Sequence, residues 1–183
     1  YTDAKLGWVV PNYVPKEELD SFADLKNDEV REKLGGIVQG IEPGAGLTRV
    51  SREALKTYGL DDTYRLQESS EAAMISMIER SMRRKKWVVA TAWSPHWMFG
   101  KYDLRYLADP EKAMGGSEQV YAIARKGLKE QSPGVTNLLT RMNLPLDELQ
   151  KAMLDAQETS YDKAVENYIA GHKDRVESWL KTA

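Results

Sequence analysis

The chain of 183 residues carries 26 basic and 28 acidic side chains, a net charge of −2, and 42% hydrophobic residues, enough apolar material to bury the core of one globular domain with a helical appendage. So small a net charge excludes bulk attraction to nucleic acid or anionic lipid, and the lack of cysteine excludes thiolate metal sites, cysteine nucleophiles and disulfides. No apolar run approaches the roughly 20 residues of a membrane helix. With Tyr1 first and no signal peptide ahead of it, a processed or truncated chain is expected.

In chain order, Leu6 to Val10 reads as a short apolar strand that Pro11 and Pro15 stop. SFADLKN at 21–27 reads as a short capped helix, and VREKLGG closes a turn of helix at Gly35 and Gly36. Ile37 to Ile41 is predicted as a second strand, running through the breaker-rich EPGAG into a helix whose apolar face is Leu47, Val50, Ala54, Leu55 and Tyr58, with Gly59 at its end. The same rhythm recurs: a strand near Tyr64 to Gln67, a helix capped by Ser69 or Ser70 with a basic last turn, and a buried strand at Trp87 to Ala92. A further strand is predicted at Gln119 to Arg125, then helices at about 133–142, 146–157 and 161–181. Strands alternating with helices imply an α/β sheet with much parallel pairing, here over residues 1–125, followed by a helical portion over 126–183.

In such sheets ligands bind beyond the carboxyl ends of the strands. Two segments stand there. GIEPGAGLTRV (40–50) brings glycines and the opening amides of a helix together, a place that attracts a carboxylate, although the glycines alone would also serve a tight strand-to-helix turn. WSPHWMF (93–99) follows the buried strand, with Trp93 at the strand's end and Ser94 and Pro95 placed to start a helix. His96 and Trp97 stand behind Trp93 as further candidate ligand contacts, or else Trp97, Met98 and Phe99 form a plug and His96 a satisfied structural histidine. An aromatic face for a cation and a helix start for an anion together describe a zwitterion such as a betaine.

AWSPHWMFGKYDLRYLADP (92–110), GIEPGAGLTRV, ESSEAAM (68–74) and GWVVPNYV (7–14) closely resemble the glycine-betaine-binding proteins of ABC importers. The resemblance runs over nearly the whole chain. It implies an α/β lobe of the type II periplasmic-binding-protein kind, part of a two-lobed extracytoplasmic receptor, periplasmic or lipid-anchored, that serves importer membrane subunits. It also implies that Trp93 is a wall of the cage around the trimethylammonium group and that the Gly46 and Leu47 amides hold the carboxylate. The family's other cage residues lie on a second lobe, in a segment not found in this sequence. The helical portion is therefore expected to pack on the sheet or bridge to that lobe. An exposed aromatic and apolar face is expected near Trp93, favouring self-association. Choline lacks a carboxylate, so carboxylated betaines fit better than choline.

Rival readings are a sensing domain of a permease fusion and a fragment that no longer binds alone. Catalysis is not expected, since Ser94 and His96 sit two apart on a proline turn and no GxSxG is present. No metal or cofactor is expected, because neither histidine has ligand spacing. The basic run RSMRRKK (80–86) reads as a solvated helix end rather than a nucleic-acid patch.

Overall fold

The computed structural model describes residues 4–117 and 119–181. The chain forms two compact units, one of Lys5–Ser94 with Tyr102–Ser117 and one that takes in Pro95–Lys101 and residues 119–181. The division thus falls near 117 rather than near 125, and the WSPHWMF segment is parted between the units after Ser94.

The first unit is built on a five-stranded sheet in the order β3-β2-β4-β1-β5. The strands are β1 (Lys5–Pro11), β2 (Ile37–Gln39), β3 (Arg65–Gln67), β4 (Val89–Ser94) and β5 (Leu104–Tyr106). β2 pairs in parallel with β3 and with β4, the pattern of βα units, whereas β1 runs antiparallel to both β4 and β5. β4 is buried at every position except the half-buried Trp93, as a central strand covered on both faces requires.

The helices of this unit close with local chemistry that the sequence displays. Ser21 forms a capping box with Asp24 at a 3-10 turn over Phe22–Lys26, and Asn27 caps α1 (Asp28–Leu34). α2 (Gly46–Thr57) follows the EPGAG turn, and Ser70 caps α3 (Glu71–Arg83) through the Ala73 amide. Trp8, Phe22, Leu25, Met74, Ile78 and Val89 are wholly buried between these elements. The Trp8 indole stacks on Phe22 with centroids 4.2 Å apart, and its N–H donates to Ser51 Oγ at 3.1 Å, tying β1 to α2.

The second unit is helical: α4 (Met98–Lys101), α5 (Leu128–Gln131), α6 (Pro133–Arg141), α7 (Leu146–Glu158), α8 (Tyr161–Gly171) and α9 (Lys173–Leu180). α4 packs on α7, with Gly100 so close to Gln150 and Leu154 that an added Cβ would sit 3.2–3.3 Å from them. The strand expected over Gln119 to Arg125 does not form. Its alternating Val120, Tyr121 and Ile123 look like a strand, but the segment is exposed coil and joins no strand of the sheet among the described residues. The single long helix expected over 161–181 is broken at His172, whose backbone leaves helical geometry between α8 and α9.

Two expected outcomes test this core. Ser51→Ala leaves a fully buried indole N–H without its acceptor, at a cost of about 1–3 kcal/mol, and urea unfolding should show that loss. The Tyr58 hydroxyl donates to Asp109 Oδ1 at 2.6 Å, and burial first, then that carboxylate, pushes its pKa up to about 12. An unfolded tyrosine titrates near 10. Because the folded value is the higher one, stability is intact below about pH 10 and falls as pH rises toward 12. An alkaline melting series should show that decline, shallower in Tyr58→Phe.

Candidate binding edge of the sheet

β2 and β4 are parallel and in register, Val38 beside Val89 and Gln39 beside Ala90, so both present their carboxyl ends at one edge. From β2 the chain passes through residues 40–45 and enters α2 at that edge. Glu42 wires the turn: its carbonyl accepts from the Ala45 amide at 3.1 Å and from Thr48 Oγ1 at 2.7 Å. Its carboxylate is spent on the next helix, where Oε1 accepts from the Glu71 amide at 3.1 Å. α2 itself begins after Ala45, which offers no side-chain acceptor. A helix cannot satisfy its opening amides internally, and those at Gly46 and Leu47 receive no side-chain cap from Ala45. Gly46 is exposed and an added Cβ there would meet nothing within 4 Å, while Leu47 is buried.

Trp93 comes to the same edge from β4. It pairs with Leu6, as Thr91 pairs with Trp8, so Trp93, Thr91 and Trp8 share one face of the sheet. Trp8 reaches Ser51 of α2 from that face. Two residues of strand carry Trp93 about 7 Å beyond Thr91, and four to five residues of helix carry Leu47 and Gly46 about 6–8 Å beyond Ser51. The register brings the half-buried tryptophan and the uncapped amides to the same height on the same face.

Of the five residues expected at the site, Trp93, Gly46 and Leu47 belong to this edge, while His96 and Trp97 belong to the helical unit. His96 is only 2% exposed, and its Nδ1 accepts from the Met98 amide at 3.0 Å. The histidine, not Ser94 or Pro95, closes the start of α4. Half-buried Trp97 packs beside the His96 ring, centroids 5.4 Å apart, with the Lys101 ammonium 5.9 Å from its ring. Ser94 is instead the last residue of β4, its hydroxyl 2.7 Å from the Tyr106 hydroxyl.

Tyr106 went unnoticed in the sequence because β5 is only three residues long; the alternation of Leu104, Arg105 and Tyr106 was its one signal. On the face opposite Trp93, the Tyr106 ring lies over Gly7, where a Cβ would come within 2.7 Å of Cδ1. The Lys5 ammonium sits 4.1 Å from its centroid. Burial holds the phenol well above the ordinary tyrosine range, so it stays neutral. Among the described residues the large exposed hydrophobic side chains, Ile123 and Tyr161 foremost, all fall in the helical unit rather than around Trp93. A hollow of about 900 Å³ there, walled by Tyr121, Leu128, Leu139, Met142 and Leu149, includes none of the five candidates.

A mixed five-stranded sheet with flanking helices defines a lobe of the type II periplasmic-binding-protein kind. The chain belongs to the family of substrate binding domains of ABC-type glycine betaine transport systems, whose model matches residues 1–171. It is 36% identical over 158 residues to the glycine betaine/carnitine transport binding protein GbuC of Listeria monocytogenes, a match over 85% of this chain and 52% of that protein. Lactococcal OpuAC, solved closed with glycine betaine, superposes with TM-score 0.79 at 39% identity over 98% of this chain and 68% of that one. The glycine betaine and L-proline-binding protein ProX of Borrelia burgdorferi gives 0.77 at 32%, over 99% and 67%. The chain spans about half the length of the curated relatives it matches. The family is one of transport substrate-binding domains, not of enzymes. Two relatives, from Dickeya dadantii and Salmonella typhimurium, are named as periplasmic proteins, and no helix among the described residues is long and apolar enough to cross a membrane.

The bond from Met98 to His96 gives a direct test of the histidine. His96→Ala should cost about 1–3 kcal/mol through the unpaired amide. In His96→Asn, a side-chain oxygen at the place of Nδ1 should recover part of it. Equal losses for the two variants in urea unfolding would show that the acceptor is not what His96 supplies.

Proposed function

We propose that this chain contributes one half of the ligand site of an extracytoplasmic receptor that delivers a carboxylated betaine to the membrane subunits of an ABC importer. What supports the reading is that Trp93 lies near the end of β4 and the uncapped α2 starts at Gly46, both at the carboxyl edge of the parallel strands. A betaine is a fixed dipole, a quaternary ammonium that donates no hydrogen bond and a carboxylate that accepts several. The first is recognised by desolvated aromatic faces, the second by backbone amides at a helix start. Neither group changes charge near neutral pH, so binding needs no titrating partner and should be nearly independent of pH between 6 and 8.

His96 and Trp97 enter this proposal as supports for the segment that follows Trp93 rather than as direct contacts. A catalytic role for Ser94 or His96 is disfavoured because each already has a structural partner, Tyr106 for the serine and the Met98 amide for the histidine. Carnitine, named for the Listeria relative, carries both charged groups and would fit the same pair of donors. Choline would leave the α2 amides without an anion. The relatives' greater length leaves room for the opposing aromatic walls, so full affinity belongs to the complete receptor.

In a receptor restored to two lobes, Trp93→Ala should weaken glycine betaine binding about 2-fold to 30-fold, the worth of one desolvated cation–π face, with little change in melting temperature. Trp93→Phe should recover part of the affinity. Calorimetric titration decides the matter: unchanged affinity alongside a large stability loss would make Trp93 a packing residue and defeat the proposal.

A further inference from the structure

The first three helices close in the same way. At the end of α1 the Gly36 amide donates to Arg31 O at 3.1 Å and Gly35 to Glu32 O at 3.2 Å; at the end of α2 Leu60 donates to Leu55 O at 2.7 Å and Gly59 to Lys56 O at 2.9 Å. At the end of α3 Lys86 donates to Ser81 O at 2.9 Å and Lys85 to Met82 O at 3.1 Å. Each is the paired closure that needs one residue in the left-handed region. Two of the three use glycine, with φ of 65° at Gly35 and 60° at Gly59, but the third uses Lys85 at φ 52°. A side chain there strains the backbone where glycine would be free, so the lysine is kept against a local cost.

That lysine completes a cluster. Arg80, Arg83 and Arg84 are spaced to share one face of the last turn of α3, and Lys85 and Lys86 continue from it; all five are exposed. None has an ion-pair partner among the described residues. With five positive charges in this run and a net charge of −2 overall, the rest of the chain carries −7. Two half-buried aromatic rings flank the cluster. Tyr13 donates to Lys86 O at 2.6 Å and lies 4.9 Å beneath the Lys85 ammonium, and Trp87 lies 4.4 Å beneath that of Lys33. The run leads into the amino end of β4, whereas Trp93 stands at its carboxyl end, about 13 Å along the strand.

We propose that the basic end of α3 is a docking surface for an anionic lipid surface. Exposed like charges on a helix end, with no acid among residues 80–86 and the Tyr13 ring beneath one of them, recognise charge density spread over a plane rather than the shape of one partner.

The test is co-sedimentation of the chain with phosphatidylcholine vesicles that do or do not contain phosphatidylglycerol. Binding should require the anionic lipid and should vanish near 1 M salt, where the screening length is about 3 Å. Arg83→Gln with Arg84→Gln should weaken it about 30-fold, about 5-fold per charge. Lys85→Gly should separate the two properties, raising the melting temperature through relief of the backbone while weakening vesicle binding about 5-fold. Failure to bind, equal binding to neutral vesicles, or unchanged binding by the double variant would overturn the proposal. So would equal affinity for polyglutamate or an oligonucleotide, which would assign the cluster to soluble polyanions.

Discussion

A tryptophan with no exposed surface presents a difficulty that this fold has to solve. Trp8 contributes the largest apolar side chain of the core, but its indole N–H is a donor that burial would orphan. Ser51, in the middle of α2, accepts it. Phe22 stacks on the ring, and Tyr58 packs on Phe22 with centroids 5.3 Å apart, so the 3-10 turn and the end of α2 are drawn into the same arrangement. Only one longitudinal placement of α2 against β1 satisfies the indole. Since β1 is in turn registered against β4 from Lys5 with Ser94 to Val9 with Ala90, that placement sets how far the start of α2 stands from Trp93.

Recognition of a zwitterion makes that distance matter. A cation and an anion held a fixed few ångströms apart by covalent bonds bind well only where the complementary groups are fixed at the same separation, and any slack is paid in affinity. In the proposed site this falls to few polar side chains: an aromatic face, backbone amides, and a turn whose one carboxylate, Glu42, is directed to α3 instead of the start of α2. Had Ala45 been serine or aspartate, the usual capping residues, it would have filled the anion position with the protein's own oxygen.

How much of this was legible depended on whether the pattern was local. The strand, glycine turn and helix of residues 37–58 were readable because a β-branched run, a breaker cluster and a 3.6-residue apolar repeat follow one another within one segment, and Ser70 and Gly59 marked helix ends with their own chemistry. Trp93 at the strand's end and Gly46 at the helix start followed from the general rule for open sheets. Pairing partners were not readable. β5 is three residues that become a strand only because β1 has an open edge, and Val120, Tyr121 and Ile123 have every strand propensity but lie outside the sheet. His96 stayed between two readings, ligand contact or satisfied structural histidine, for a similar reason: nothing in the sequence says that its ring turns back to the amide two residues on. His172, likewise, breaks a helix that periodicity would have carried through. Its Nδ1 lies 2.9 Å from the Tyr168 carbonyl and its ring stacks 4.2 Å from that of Tyr168.

The two units differ in how far their own residues satisfy them. In the sheet unit each large apolar side chain is at least half covered, and the ends of α1 to α3, apart from the start of α2, are closed by caps or paired turns. Over residues 119–181 the buried hydrophobic residues are Ala164 and Trp179 alone among those described, and Ile123 is 96% exposed. Helices of 8 to 13 residues gain most of their stability from packing of an apolar face, so α6 to α9 draw on local ties instead. Glu148 shows the form these take: it accepts from the Tyr168 hydroxyl at 3.0 Å and pairs with Arg175, joining α7, α8 and α9, and the Arg175 guanidinium holds its carboxyl below the usual carboxylate range. Such bonds at a solvated surface are individually weak. The sheet unit therefore keeps its ligand-binding edge by its own packing, while the helical unit gains most from whatever covers its apolar side chains.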